Sequence, residues 1–363
     1  MKTDWMMLCA ALVASAGCSS EDAAVAPDAA IGIGGVGGSS GSGSNAGSAG
    51  ASVDSGLGGG PGDAGAAGSP GVPSPVGSGP YATTVYAAIA NVAATGNAVP
   101  IKCFVPSAPA GPVPLVVLAH GFQLPASQYE GTAAHAASFG FVVCTADFPA
   151  GFTPDHLKSA QDLLGSLDFL IAASGASGNP VSGRVDAARL ALSGHSLGGK
   201  LSVLAASMDA RVKVVVALDP VDSAMLCNPT QCPDASDKLP LAIPMAFLGE
   251  TLDATGTFQA CAPKADNFET FFAKASPPSL RVTLQGANHM SFIDDPTSCG
   301  TVCGFCNPAT MPQVQALEIS RAYLVSFLSR HLLGHVGYDS WLSGVEAQTR
   351  WVAPKLATIE TKE

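Results

Sequence analysis

Basic side chains are scarce: 17 Lys and Arg stand against 28 Asp and Glu, for a formal net charge of −11. Such a balance gives no electrostatic footprint for nucleic acid and no basic patch for an anionic lipid surface. Charged residues of either sign amount to only 12% and aromatics to 6%, so the surface must be rich in small and apolar groups, which permits hydrophobic ligands. No internal repeat is visible, which excludes solenoids and propellers. Long apolar runs are missing as well. The stretch from Met6 to Val13 falls well short of the roughly 20 residues that a spanning helix needs.

With Lys2 ahead of it and Ala14, Ser15, Ala16 and Gly17 behind it, that stretch reads as an export signal over residues 1–18. The Gly17-Cys18 junction resembles the lipobox of bacterial lipoproteins, with Ser15 in place of the usual leucine, and implies lipidation at Cys18. The expected location is therefore the bacterial cell envelope, lipid-anchored at the outer membrane, or else secretion. From Ser19 to about Pro80 the chain is nearly all Gly, Ala, Ser and Pro. A segment so poor in large apolar groups cannot offset its ordering entropy, and we expect a disordered tether. Residues 81–363 then form one large domain.

Ten cysteines are present. Setting aside Cys9 and Cys18 leaves an even set, which in an exported chain is expected to form disulfides. Cys103 and Cys144 fall in strand-like runs suited to a cross-strand pair. Cys299, Cys303 and Cys306 are close enough to suggest a zinc knuckle, but no fourth ligand stands at the right spacing, so no metal is expected.

Beyond the tether, β-rich runs alternate with helical periodicity, the pattern of a mostly parallel sheet with helices on both faces. Val113 to Ala119 is continuously apolar, as a strand covered on both sides should be. Phe141 to Ala146, Arg189 to Ser193, Val212 to Leu218, Ile243 to Leu248 and Leu280 to Leu284 are further strand candidates. Leu157, Ala160, Leu164, Leu167 and Ile171 recur at helical spacing, as do Val314, Leu317, Leu324, Leu328 and Leu332.

Gly194-His195-Ser196-Leu197-Gly198 fits the GxSxG pattern, but so does Gly37-Gly38-Ser39-Ser40-Gly41 in the tether. Context separates them. Ser196 follows a predicted strand and precedes a helix-forming stretch, Leu197 to Met208, which is the turn that exposes a nucleophilic serine in an α/β-hydrolase. The loop after Val113 to Ala119, beginning His120-Gly121-Phe122, is where this fold supplies one oxyanion-hole amide, and the residue after the nucleophile supplies the other. The candidates are the N–H groups of Phe122 and Leu197, with His120 read as structural. Of the seven histidines, His135, His156, His331 and His335 fall in or beside predicted helices. His289 instead follows the last predicted strand and completes the Ser, acid, His chain order. Two carboxylates compete as its partner, Asp219 after Val212 to Leu218 and Asp253 after Ile243 to Leu248, and the motifs alone do not choose.

These pieces together resemble the chlorophyllase family of α/β-hydrolases. His120-Gly121-Phe122 with Tyr129 and His135 looks like the family's oxyanion block, and Gly194-His195-Ser196 with Gly198-Gly199-Lys200 like its elbow. Leu218-Asp219-Pro220-Val221-Asp222 looks like the segment that holds its aspartate. Cys261-Ala262-Pro263-Lys264 with Asn267 and Phe271-Phe272, and His289 with Asp294-Asp295, look like its C-terminal blocks. Leu197 and Asn288 stand where the plant enzymes usually have arginine and glycine. The resemblance implies a single-domain α/β-hydrolase fold and a serine esterase acting on a bulky apolar ester without cofactor, with Asp219 as the acid. A cutinase-like or lipolytic esterase using Asp253 is the alternative within enzymes, and an inactive cell-surface binding protein the alternative outside them. A small-molecule or polymeric ester is the expected partner, and residues 223–239 form an insertion that borders the substrate cleft.

Overall fold

The computed structural model describes residues 71–149, 155–223, 227–256 and 260–363. The expected export signal, Cys18 and residues 19–70 of the expected tether lie outside these. Nine strands form one sheet: β1 (Thr83–Val92), β2 (Asn97–Pro106), β3 (Val113–Ala119), β4 (Val142–Ala146), β5 (Val185–His195), β6 (Val212–Leu218), β7 (Met245–Glu250), β8 (Ser279–Leu284) and β9 (Ala357–Lys362). Their order is β1-β2-β4-β3-β5-β6-β7-β8-β9. The six strands from β4 to β8 in that order pair in parallel. β1, β2 and β9 close the two edges in antiparallel fashion.

All six strands named from the sequence are present, because runs such as Val113–Ala119 are buried at every position and only a sheet covered on both faces accommodates that. Helices α1 (Glu130–Ala137), α2 (His156–Gly175), α3 (Leu197–Met208), α4 (Phe268–Lys274) and α5 (Gln313–Leu332) supply the cover. Leu115, Val117 and Leu192 point to the core shared with α2, α3 and α4. Val116 and Ala191, one residue out of step, point to the core shared with α1 and α5. The β-strand period of two thus divides each parallel strand between two cores.

Two stripes differ from expectation. On α2 the fully buried row is Ala160, Leu163, Leu167 and Leu170, while Leu164 and Ile171 pack at its margin. Val314, expected in the core, is 75% exposed in the first turn of α5, whereas Leu317, Leu324, Leu328 and Leu332 are buried. The domain also extends ahead of residue 81. Val72 and Val76 pack against the α5 side, Tyr338 Oη donates to the Pro73 carbonyl at 3.0 Å, and Gly79 N donates to Ser138 Oγ at 2.7 Å.

The eight cysteines from Cys103 onward pair as Cys103–Cys144, Cys227–Cys232, Cys261–Cys306 and Cys299–Cys303. The first joins register partners on β2 and β4. A zinc knuckle at Cys299, Cys303 and Cys306 is ruled out by these bonds, since a ligating sulfur must be a free thiolate. Mass spectrometry of peptides from the unreduced chain should recover these four linkages and leave none of the eight sulfurs free to alkylate.

Among the described residues no helix is long and apolar enough to cross a membrane. The insertion is tied down from beneath. Asp222 accepts from Ala235 N at 2.7 Å and Ser236 N at 2.8 Å, and its carboxylate pairs with the fully buried Lys200 ammonium on α3 at 3.2 Å. The described part of the insertion borders an apolar depression of about 610 Å³ over the C-terminal half of α3, lined by Leu157, Leu204, Met208, Pro229 and Pro233. Ser196 lies at the opposite, N-terminal end of that helix.

Candidate active site

Ser196 sits between β5 and α3 with φ 56° and ψ −119°, a backbone state that non-glycine residues rarely occupy and that costs of order 1–3 kcal/mol. Close packing holds it there. A Cβ on Gly194 would lie 2.4 Å from the Gly198 carbonyl carbon, and one on Gly198 would lie 2.1 Å from the Ala119 carbonyl oxygen. The glycines of the motif therefore let β5, α3 and the end of β3 approach within backbone contact, and the serine is left on the crest of the turn.

His289 follows β8 and Asp219 follows β6. The His289 Nε2 lies 2.8 Å from Ser196 Oγ, and its Nδ1 lies 2.6 Å from Asp219 Oδ2. Both Asp219 and His289 are buried. Burial raises the Asp219 carboxyl above the ordinary carboxylate range, and the hydrogen bond and charge of His289 oppose that rise. A hydroxyl, an imidazole and a carboxylate in this series can move a proton from the hydroxyl to the ring while the acid holds the ring's orientation.

Asp253 is brought to the same histidine but to a different atom. Its Oδ2 accepts the backbone N–H of His289 at 2.7 Å, and its Oδ1 accepts that of Asn307 at 2.7 Å. Of the two carboxylates left open by the motifs, Asp219 is the one against the ring and Asp253 the one against the main chain. The Asp253 carboxylate also lies within 4.8 Å of the sulfurs of Cys261 and Cys306. Those sulfurs are bonded to each other and both Asp253 oxygens are occupied, so this group offers no donor set for a metal.

The Phe122 amide lies in the loop after β3, and the Leu197 amide opens α3, where a helix N–H has no intrahelical acceptor. Sequence reasoning passed over what braces them. Gly121 N donates to Tyr129 Oη at 3.0 Å, Tyr129 Oη lies 2.9 Å from His195 Nδ1, and His195 Nε2 lies 2.8 Å from the His289 carbonyl. Burial holds His195 well below the ordinary histidine range, so the ring is neutral. A carbonyl only accepts, so Nε2 carries the proton and Nδ1 accepts from the tyrosine hydroxyl. One directed chain of hydrogen bonds thus ties oxyanion loop, elbow and histidine loop together. The available signal was a histidine inside an apolar strand end with a tyrosine after the oxyanion loop. The ring nitrogens of His120 lie 2.8 and 3.1 Å from the Gly121 and Phe148 carbonyls, and the ring stacks on Phe148.

Beside the oxyanion loop lies a cavity of about 430 Å³, lined by Leu124, Pro125, Phe148 and Pro149 together with His120, Gln123 and Asp147. Phe122 is 36% exposed. The remaining predicted histidines are accounted for elsewhere: His135 bonds the Pro75 carbonyl at 3.1 Å, His331 packs on Phe327 and His335 on Tyr338. His156 lies buried at the start of α2.

A parallel sheet in this order, a serine on a strained turn after β5 and a histidine after β8 define an α/β-hydrolase. Residues 76–362 match the chlorophyllase family, and the chain belongs to that family. Chlorophyllase-2 of Arabidopsis thaliana is 27% identical over 201 residues, 52% of this chain and 63% of that protein, so the chain spans less than two thirds of that relative. Chlorophyllase-1 of the same plant is 24% identical over 65% of this chain and 76% of its own length. Chlorophyllase type 0 of Chenopodium album is 25% identical over 66% and 77%.

Asp219→Asn should lower kcat on an activated ester by about 10⁴-fold, because the amide favours the wrong imidazole tautomer. Asp253→Asn keeps one accepting oxygen near the His289 amide and should cost about 10-fold. Steady-state kinetics on variants first matched for melting temperature checks the pair.

Proposed function

We propose that the protein is a serine carboxylic-ester hydrolase of chlorophyllase-like type that acts on a bulky apolar ester. The observation that carries this is the Ser196–His289–Asp219 series, with contacts of 2.8 and 2.6 Å, at a turn whose strain only close glycine packing sustains. In this reading Ser196 Oγ attacks the ester carbonyl as His289 Nε2 takes its proton. The tetrahedral oxyanion is stabilised by the amides of Phe122 and Leu197. Collapse breaks the bond to the alcohol oxygen, which receives the proton from His289, and water then repeats the sequence to release the acid and regenerate the serine.

Beside the oxyanion loop, Leu124, Pro125, Phe148 and Pro149 give an apolar substituent on the ester a surface to rest on, with His120, Gln123 and Asp147 standing among them. The cutinase-like alternative with Asp253 as the acid is disfavoured because both Asp253 oxygens already hold backbone amides.

A fluorophosphonate probe should label one site, and peptide mapping should find it on Ser196. Ser196→Ala should remain folded, resist the probe and lose turnover of short p-nitrophenyl esters. An unlabelled parent protein would leave the reading as a cell-surface binding protein instead.

The export signal and the Gly17-Cys18 junction support a second part of the proposal, that lipid on Cys18 holds the enzyme at the cell envelope. Several acyl chains anchor firmly where one binds marginally. The Cys18→Ser form should leave the membrane fraction for the soluble one on sedimentation.

A further inference from the structure

Behind Asp219 stands a second buried carboxyl group that the mechanism above does not use. Glu250 ends β7, the parallel neighbour of β6 with Leu218 opposite Leu248. The Asp219 amide donates to the Leu248 carbonyl at 2.7 Å, two residues before Glu250 on the same strand. One oxygen of Glu250 is fully employed: Oε2 accepts from the amides of Leu252 and Asp253, the latter at 2.8 Å. Its other oxygen, Oε1, is buried with no partner among the described residues. Asp219 shows the same asymmetry, with Oδ2 on His289 and Oδ1 buried without a partner among the described residues.

Two orphaned carboxyl oxygens on adjacent strand ends are costly if both groups are ionised, and one proton between them removes both deficits. We propose that Glu250 is held as a neutral carboxylic acid whose Oε1–H donates to Asp219 Oδ1, making it a positioning residue of the triad. The proton belongs on Glu250 because the charge of His289 favours an ionised Asp219, whereas Glu250 meets neutral main-chain amides, and those use its other oxygen. Burial first, and then the charge of Asp219, push Glu250 up from its ordinary 4.5 to about 8. The titratable groups that face this pair are Asp253 from the loop after β7 and His289 from the loop after β8. A neutral Glu250 leaves Asp219 as the charge that serves the histidine, with its second oxygen fixed so that the carboxylate cannot rotate off Nδ1.

The folded-state value lies above the unfolded one, so the contribution to stability is complete below the ordinary glutamate range and is lost as pH rises through about 8. The catalytic consequence rests on the ester-hydrolase reading, but the protonation does not. Infrared difference spectra between the parent and Glu250→Gln, at about pH 6, should therefore show a protonated-carboxyl carbonyl band in the parent alone. That band should fade as pH passes about 8.

Glutamine keeps an N–H donor for Asp219 and an oxygen for the two amides, without a titrating proton. In Glu250→Gln the alkaline limb of the parent's kcat/KM profile near pH 8 should be missing, together with the fall in melting temperature over that range. Glu250→Leu, which has no donor, should lose about 10²-fold in kcat with KM little changed. Absence of the carboxyl band at about pH 6, or an unaltered alkaline limb in the glutamine variant, overturns the proposal. A band present in a protein that turns over no ester would uphold the neutral Glu250 and reject the ester-hydrolase reading instead.

Discussion

His289 is bonded at every polar atom it has, and the remainder of the site is arranged to keep it so. Its amide is held by Asp253, its carbonyl by His195, its Nδ1 by Asp219 and its Nε2 by Ser196. A histidine on a loop would otherwise sample several ring orientations, and catalysis by proton transfer tolerates little error in distance. Fixing the main chain on both sides of the ring removes loop motion as a source of that error. The two ring contacts then need only select the tautomer.

The anchoring has a cost in buried polar groups, which the fold meets in part by pairing Tyr129 with His195 and Lys200 with Asp222. Tyr129 and His195 are buried between the oxyanion loop and the histidine loop, yet each finds a partner in a single direction of donation. Lys200 and Asp222 are buried as an ion pair beneath the insertion, with the lysine also donating to the Asp222 carbonyl at 2.8 Å. Removing one member of such a pair is far more damaging than replacing both, because the survivor is left charged and unpaired. The elbow is thus surrounded by interactions that resist piecemeal loosening, which fits a turn that must store backbone strain.

Much of this could be read from residue order, and what could not has a physical reason. The parallel strands were legible because burial on both faces makes them continuously apolar, as in Val113–Ala119. β1 and β9 were not, since an edge strand with one solvated face, such as Ala357–Lys362, carries weak contrast. Ser196 and His289 were legible because each occupies a fixed place in the strand order. The choice between Asp219 and Asp253 was not a matter of local sequence: both follow strands that flank the site, and only the three-dimensional path decides which one meets a ring and which a main-chain amide. The roles of His195 and Glu250 were hidden for the same reason, as each acts through atoms contributed by other strands.

The cysteine-rich loops belong to the same account. Cys103–Cys144 joins strands whose ladder already sets their register, so it adds a covalent link to contacts the sheet supplies. Cys261–Cys306 does something different. It closes a separation of 45 residues, worth roughly 4 kcal/mol on the chain-entropy view, and it does so beside Asn307. That asparagine donates its amide to Asp253 and its side chain to the Leu252 and Thr255 carbonyls, while its own carbonyl accepts from Asn288. The bond therefore restrains a loop that, through Asn307, contacts Asp253, whose other oxygen holds the His289 amide. The half-buried Cys306 also packs against the cluster of Leu118, Leu124, Tyr129, Met290 and Ile293, so covalent link and apolar contact act on the same loop. The disulfide thus adds to side-chain packing in a loop that belongs to no strand of the sheet and lies against the segment carrying His289.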